Sequence, residues 1–237
     1  MQALRVVRHG SPTEALEIED IPVPGVGANE VSIAVSAASL NFGDIARCRG
    51  TVAAVMGQLP FTLGMDVCGV VDAVGDGAEG WLGRRVVAMT NQSFGGIAEV
   101  ALAASTSVFD APPELDDVEA AAFTLPFHTG FLALHKRAGL QSGETVLVIG
   151  GASAVGTAVI QLGVAADASV VSVSGGPEKA ALCRSLGASP IDHATDDVFD
   201  HVMELTQGRG AEVVVDLVGG AQTETTWTCV AREGRYL

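Results

Sequence analysis

The fold of this chain is decided by residues 145–156, which read T-V-L-V-I-G-G-A-S-A-V-G. The first five residues are nearly all apolar and β-branched, which is typical of a strand buried on both faces of a parallel sheet. Two glycines end that run, and residues 155–166 then place apolar side chains at helical spacing. A second β-branched run follows at 168–174. The order strand, glycine turn, helix, strand predicts one βαβ unit with a right-handed crossover.

The glycine turn has the features of an anion-binding loop. Gly151 and Gly156 occupy the first and last positions of a G-x-G-x-x-G/A pattern, while Ser153 and Ala154 fill its middle. At such a turn, backbone N–H groups and the helix dipole face the anion, and small residues let a phosphate approach. The Ser153 hydroxyl can also donate, and Val155 opens the helix. The pattern predicts a pyrophosphate site, with a tight turn that binds nothing as the alternative.

The end of the second strand indicates which dinucleotide binds. Sites for the non-phosphorylated cofactor usually carry an acid there, which holds the ribose hydroxyls. Here the strand ends in S-V-S-G-G at 172–176, with Lys179 just beyond. The Ser174 hydroxyl, free backbone N–H groups and a cation suit a 2′-phosphate, so the sequence predicts NADPH. The alternative for Lys179 is a solvated residue in the first turn of the next helix.

Composition places the chain among packed α/β proteins with one large or two small domains. It has 237 residues, of which 48% are hydrophobic and 29 are glycine. Its formal charge of −15, without a basic cluster, argues against nucleic-acid binding. Four scattered cysteines favour a reducing, cytoplasmic compartment and argue against disulfides or a zinc lobe. We expect neither a membrane span nor a signal peptide.

The remaining pattern predicts two domains, a compact β domain at 1–123 and an αβ domain at 124–237. Short strands separated by glycine and proline turns fill most of the first domain, including one at 14–18 and one at 30–36. Two separate helices, 116–123 and 129–138, are predicted to lead into the strand at 145. After it, helices and strands alternate to a helix at 222–231 and a strand that begins at 235.

Three further stretches are distinctive when they are taken together with the glycine turn. They read L-N-F-G-D at 40–44, P-x-x-x-G-M-D-x-x-G-V-V at 60–71 and G-G-x-A-E-V at 95–100. In them the chain resembles the medium-chain dehydrogenase/reductase superfamily, and within it the zinc-independent quinone oxidoreductase branch related to zeta-crystallin. The resemblance extends over the whole chain. It implies an α/β protein in which a GroES-like β domain packs on a Rossmann domain with a doubly wound parallel sheet, and in which the active site lies between them.

The same resemblance implies a reaction without zinc. Zinc-dependent members place a cysteine where Asn41 stands, Gly-His-Glu where Gly64-Met65-Asp66 stand, and a further ligand near Leu125. This chain lacks that ligand set. Hydride transfer without a Lewis acid is therefore implied.

The resemblance also implies roles for residues outside the glycine turn. Asn41 would lie beside the nicotinamide and the substrate carbonyl, as a catalytic donor to developing negative charge; a turn asparagine bonded to its own backbone is the alternative. Thr129 matches the family threonine near the nicotinamide or its ribose, with a helix N-cap as the alternative. His193 stands where relatives carry a tyrosine near the adenine phosphate. Val218 and Gly219 would approach the cofactor closely, unless they form a plain strand-to-helix turn.

The implied activity is an NADPH-dependent reductase that transfers hydride to a quinone or an α,β-unsaturated carbonyl. Two alternatives stay open, a non-catalytic NADPH-binding protein and an inactive, truncated remnant. Relatives often carry a tyrosine where Ala46 stands here, and they continue beyond Leu237 into strands that complete the nucleotide sheet and form a homodimer. We therefore expect a C-terminally truncated member that lacks its dimer-forming strand.

Overall fold

A computed structural model describes residues 1–51, 58–91 and 95–237, except for the side chain of Ala221. The chain divides into two compact units, Met1–Leu125 and Pro126–Leu237. Each unit contains hydrophobic clusters of its own. The two units can therefore be described one after the other.

The first unit consists mainly of antiparallel strands. Three of them form a small sheet in the order β2-β1-β4, and five form a larger sheet in the order β7-β3-β5-β6-β8. In chain order the elements are β1 Gln2–Val6, α1 Pro12–Ala15, β2 Leu16–Asp20, β3 Glu30–Ala38, α2 Phe42–Arg49, β4 Phe61–Thr62, β5 Asp66–Val74, β6 Arg85–Met89, β7 Val100–Ala104 and β8 Val108–Asp110.

The larger sheet carries the main core of this unit. Its inward side chains include Val31 and Ile33 from β3 and Val67 and Val71 from β5, all nearly fully buried. Where β3 ends, the Ser39 N–H donates to the carbonyl oxygen of the first residue of β5 at 3.2 Å. The segment that precedes α2 is thereby held against the start of β5.

The second unit is built on one parallel sheet of five strands. Its strand order is β11-β10-β9-β12-β13, and all four neighbouring pairs are parallel. The elements are α3 Asp117–Phe131, which begins in the first unit, a π-helical segment Leu132–Ala138, β9 Thr145–Ile149, α4 Ala154–Ala165, β10 Ser169–Ser174, α5 Pro177–Ser185, β11 Ser189–Asp192, α6 Val198–Leu205, β12 Ala211–Asp216, α7 Thr223–Thr228 and β13 Val230–Tyr236.

Helices cover both faces of this sheet, which explains why the four consecutive residues from Val146 to Ile149 in β9 are all apolar. Val146 and Val148 face a cluster that includes Ile160 of α4. Leu147 and Ile149 face a second cluster, which includes residues of α6 and β11. A central strand that alternates between two cores must be apolar throughout. The predicted order, an antiparallel β unit followed by a parallel α/β unit, is confirmed.

Two predicted boundaries are wrong because tertiary packing overrides local signals. The predicted break between helices at 123 and 129 is absent, since α3 runs through Pro126. Ala120 and Ala121 of α3 are buried in the first unit's core, and this burial offsets the hydrogen bond that Pro126 cannot make. The predicted helix 222–231 ends at Thr228, and β13 begins at Val230 rather than at 235. A threonine-rich segment is a weak helix former, and its successor pairs with β12.

The first unit contains a smaller discrepancy. The strand predicted at 14–18 begins only at Leu16, because residues from Pro12 to Ala15 form the short helix α1. Pro12 stands at the first helical position, where its missing N–H costs nothing.

Candidate functional site

The turn after β9 is fixed by backbone hydrogen bonds. Gly150 has a φ of 81°, and the N–H groups of Gly150 and Gly151 both donate to the Val173 carbonyl at 3.0 Å. Ser153 is the N-cap of α4, and its Oγ accepts the Gly156 N–H at 3.1 Å. In the described part of the chain, nothing accepts the N–H groups of the next two residues, Ala154 and Val155. The helix therefore begins with two donors that are available to an anion.

Two glycines allow α4 to begin this close to the strand. A Cβ at position 156 would lie 2.3 Å from the Gly150 carbonyl oxygen, and a Cβ at position 151 would lie 2.8 Å from Cβ of Ser172. Neither position can accept a side chain without movement of the backbone or of a packed strand. The two glycines thus let α4 begin close to β9 and β10, as the G-x-x-x-x-G spacing predicts.

A pocket of about 270 Å³ opens at the ends of β9 and β10. Five residues singled out from the sequence line it, namely Ser153, Ser174, Lys179, His193 and Val218. Gln222 also lines it, although its sequence context suggests only the start of a helix. Gly151, Ala154, Val155 and Gly156 form the adjoining turn and first helical turn. The pocket thus unites segments that lie far apart in the chain.

Ser174 is the most informative residue of this pocket. It is 5% exposed, and its buried hydroxyl has no hydrogen-bond partner in the described part of the chain. A buried hydroxyl without a partner costs free energy and is uncommon in folded proteins. Lys179 lies in the first turn of α5, and the ion pairs recorded for the described residues do not include it. A donor and a cation therefore remain open to a phosphate.

The end of β10 differs from the prediction in one respect. The Gly176 N–H is not free, because it donates to Asp192 Oδ1 at 2.9 Å, which also accepts the Ala194 N–H at 3.0 Å. Both bonds lower the pKa of Asp192, and the bond from Gly176 has the larger effect. Asp192 ends β11 and pairs in register with Ser174. A carboxylate beside the pocket was missed, since it comes from the neighbouring strand.

The loop after β12 is fixed by a carboxylate that the sequence analysis also missed. Asp216 Oδ1 accepts the N–H groups of Val218 at 2.9 Å and Gly219 at 2.8 Å. The Tyr236 hydroxyl donates to Asp216 Oδ2 at 2.6 Å. Burial is the largest single influence and raises the pKa of Asp216. The hydrogen bonds that Asp216 accepts, of which the bond from Gly219 has the largest effect, outweigh burial, so the pKa is lowered overall. The position of Val218 at the pocket therefore depends on an ionised Asp216.

In the first unit, Asn41 belongs to a network of polar side chains. It is the N-cap of α2, and its N–H donates to Asp44 Oδ2 at 2.8 Å. Its side-chain Nδ2 lies 2.8 Å from Ser39 Oγ and 3.0 Å from Asp66 Oδ1. Asp66 also accepts the Ser39 hydroxyl and, at 3.3 Å, the Leu125 N–H. The Asn41 amide nitrogen thus donates to other side chains, while Asn41 and Asp44 also form a capping box at the start of α2, as the turn alternative expects. The role of Asn41 at the nicotinamide stays a prediction.

Thr129 is not placed as its alternative predicts. It lies inside α3 and therefore cannot be the N-cap of that helix. Its side chain is exposed, and it is not one of the residues that line the pocket. Its role at the nicotinamide stays a prediction.

Two searches of the described residues give negative results. No group of three or more His, Cys, Asp or Glu side chains is placed to hold a metal ion there. None of the helices in residues 1–51, 58–91 and 95–237 is both long and apolar enough to cross a membrane. All four cysteines are buried and free.

Known proteins resemble both units. A family model described as "Alcohol dehydrogenase GroES-like domain" matches residues 27–113, and one described as "Zinc-binding dehydrogenase" matches residues 154–237. A quinone oxidoreductase of Lama guanicoe is 31% identical over the whole chain and 72% of its own length. A quinone oxidoreductase-like protein 2 homolog of Nematostella vectensis is 31% identical over 98% of this chain and 64% of its own.

A solved structure is also similar. The Escherichia coli quinone oxidoreductase complexed with NADPH is 26% identical and has a TM-score of 0.91. The match covers 100% of this chain and 72% of that protein. The chain therefore spans between 64% and 72% of the length of these three relatives.

Proposed function

This chain belongs to the zinc-independent quinone oxidoreductase family of medium-chain dehydrogenases/reductases, and from that premise we propose that it is an NADPH-dependent reductase. Its acceptor would be a quinone or an α,β-unsaturated carbonyl. The observation that carries the proposal is the buried hydroxyl of Ser174, which has no partner among the described residues and lies in a pocket that also contains Lys179. Relatives are named quinone oxidoreductases, and one was solved with NADPH.

The residues of the second unit fit this cofactor. The Ala154 and Val155 N–H groups and the Ser153 hydroxyl would hold the pyrophosphate at the positive end of α4. The Ser174 hydroxyl and the Lys179 ammonium would hold the 2′-phosphate. The glycines at 151 and 156 leave the space that a phosphate needs, because a Cβ at either position would meet backbone or packed side chains.

The remaining predicted residues complete this assignment. His193 would lie at the adenosine side, where it lines the same pocket. Val218 and Gly219, held by Asp216, would approach the nicotinamide half. Asn41 and Thr129 keep the roles at the nicotinamide that the family resemblance implies. The bound cofactor supplies the hydride, and the protein supplies orientation and charge stabilisation.

The chemical task of the chain is to stabilise negative charge on the acceptor. When hydride reaches a quinone or enone, charge develops on a carbonyl oxygen. The Asn41 amide would donate a hydrogen bond to that oxygen, which is the role of an oxyanion-hole donor. No metal ligand set is needed for this step.

The proposal is tested by oxidation of NADPH in the presence of a benzoquinone and of a cyclic enone. We expect turnover with at least one acceptor, and a kcat/KM that is at least about tenfold lower with NADH, because NADH lacks the phosphate that Ser174 and Lys179 would bind. A folded chain that fails with every acceptor would contradict the proposal. Tight NADPH binding without turnover would then favour the non-catalytic alternative, to which the alanine at position 46 also points.

A remnant that neither folds stably nor binds is the third possibility. Thermal unfolding with and without NADPH separates it from the others, since a ligand that binds only the native state raises the melting temperature. The proposal further keeps the homodimer and the reducing, cytoplasmic compartment as predictions. The four buried, free thiols favour such a compartment.

A further inference from the structure

A buried carboxylate in the first unit does not line the nucleotide pocket. Asp66, the first residue of β5, is fully buried. In the part of the chain that the structure describes, no cation forms an ion pair with it. Its contacts are the Ser39 hydroxyl, the Asn41 amide and the Leu125 N–H. Since a buried anion without a counter-ion costs folding free energy, stability alone does not explain it.

The arrangement of the three side chains determines what the Asn41 amide can do. Ser39 Oγ and Asp66 Oδ1 are hydrogen-bonded to each other, so the directions from Asn41 Nδ2 to these two oxygens diverge by much less than the two N–H bonds of a planar amide do. One N–H can therefore donate to both oxygens at once, in a three-centre hydrogen bond. If one N–H is shared between these two oxygens, the second N–H of the planar amide points away from both of them. Among the described residues, no third acceptor is recorded for Asn41 Nδ2.

The carboxylate also fixes which end of the amide faces inward. An ionised carboxylate only accepts hydrogen bonds, and the Ser39 hydroxyl already donates to it. If the amide turned over, Asn41 Oδ1 would face Asp66 Oδ1, and two negative oxygens would repel each other. The inward group must therefore be Nδ2, and the free N–H keeps one direction.

We propose that Asp66 and Ser39 are positioning residues that clamp one N–H of the Asn41 amide, so that the other N–H is aimed at the acceptor oxygen. This inference rests on the proposed function, in which Asn41 donates to that oxygen. A preorganised donor needs no reorientation as charge develops, and this is the source of its catalytic value.

The clamp depends on the ionisation of Asp66. Burial, the largest influence, raises the pKa of Asp66; the bonds from Ser39, Leu125 and Asn41 oppose it, and the charge of Asp44 raises it again. Asp44 is buried beside Arg47, with 3.5 Å between Asp44 Oδ1 and Arg47 Nη1. A protonated Asp66 would become a donor and lose its hold on Ser39. The clamp is therefore present above the raised pKa of Asp66 and lost as pH falls through it, at a higher pH than for an ordinary aspartate.

The direct test is side-chain amide NMR of the full chain labelled with ¹⁵N-asparagine. The Asn41 amide signals, identified by their loss in Asn41→Ser, should shift with pH at the midpoint of Asp66. They should not titrate in that range in Asp66→Asn. If the Asn41 amide signals of the wild-type chain do not change with pH, the clamp is overturned, whether or not the chain is an active reductase.

The kinetic test separates a positioning role from a structural one. Asp66→Asn should lower kcat roughly 10- to 100-fold, leave the Kd of NADPH unchanged and remove the acid limb of the kcat profile. Ser39→Ala should lower kcat less, and Ser39→Thr, which restores a hydroxyl, should recover part of that loss. The matched control is Asp72→Asn, at an exposed position of the same strand, which should change neither kcat nor the acid limb.

The outcomes distinguish this inference from the proposed function. Wild-type kcat and an unchanged acid limb in Asp66→Asn would overturn the positioning role. A wild-type chain that binds NADPH but reduces no acceptor would instead overturn the proposed function, and the NMR titration would still decide whether the clamp exists. Because the raised pKa means that the buried charge destabilises the fold at neutral pH, Asp66→Asn should not lower the melting temperature, and a marked fall would indicate a structural role.

Discussion

The polar groups of the two units are arranged in opposite ways. In the nucleotide pocket they are open: the Ser174 hydroxyl and the first N–H groups of α4 have no partner in the described part of the chain. Around Asp66 they are paired with one another, so that one side chain orients the next. An open set of donors serves to bind an anion, whereas a closed network serves to fix the direction of a single group. Under the proposed function, the open donors of the second unit would recognise the cofactor, and the paired groups of the first unit would orient the Asn41 amide.

The largest expected effect comes from filling the space that the glycine turn leaves open. In Gly156→Ala, the new Cβ would lie 2.3 Å from the Gly150 carbonyl oxygen. We expect the free energy of unfolding to fall by roughly 1–3 kcal/mol and NADPH to produce no rise in melting temperature. The control is Gly80→Ala, where a Cβ has nothing within 4 Å. A variant at 156 that binds NADPH normally would contradict the assignment of this turn.

The next effect tests whether the open hydroxyl is there for the phosphate. Ser174→Ala should weaken NADPH binding roughly 10- to 100-fold, the value of a hydrogen bond to a charged group, and leave NADH binding unchanged. Ser172→Ala is the matched control, because Ser172 is also buried, on the same strand and without a partner in the described residues. Calorimetric titration with both cofactors measures the difference. Equal losses of NADPH affinity in the two variants would show that the Ser174 hydroxyl does not bind the phosphate.

A smaller effect is expected at the carboxylate that holds the Val218 loop. Tyr236→Phe removes the hydroxyl that donates to Asp216 Oδ2 and should lower the free energy of unfolding by about 1 kcal/mol. Since the folded pKa of Asp216 is lowered, its contribution is present above the pKa of an unfolded aspartate and lost as pH falls through the folded value. The loss of stability in the variant should thus shrink toward acid pH. Chemical denaturation at several pH values measures it, and a constant difference would contradict this role.

The smallest effect is expected at the exposed cation of the pocket. Lys179→Met should weaken NADPH binding about threefold at low ionic strength, because exposed charges interact weakly through water. The loss should decline as salt is added, whereas that of Ser174→Ala should persist. A salt-independent loss at position 179 would mean that the lysine acts by packing instead of charge.

The contrast between the units also explains what the sequence could predict. The glycine turn and Ser174 lie within one βαβ unit, and Lys179 lies in the first turn of the helix that follows it, so their spacing alone predicts that they meet at the end of a strand. The hydrogen bond from the Gly176 N–H to Asp192 joins residues that are 16 positions apart in the sequence. The bond from the Tyr236 hydroxyl to Asp216 joins residues that are 20 positions apart. Such partners depend on strand order, which local periodicity does not encode.

The network around Asp66 was the least predictable part. Ser39 and Asp66 are 27 residues apart and meet only because β3 ends beside the start of β5. In the sequence, Asp66 is distinctive only because it stands at a position of the zinc-site motif of zinc-dependent relatives. The errors at Pro126 and at Val230 have the same origin, because buried packing and strand pairing outweighed a helix breaker in one place and an apparent helix in the other.

The central claim is that the pocket at the ends of β9 and β10 selects the phosphorylated cofactor. It is tested most directly by calorimetric titration of the chain with NADPH and with NADH under identical conditions. We expect one site per chain and a Kd for NADPH that is at least about tenfold lower than that for NADH. Equal affinity for the two cofactors, or tighter binding of NADH, would contradict it.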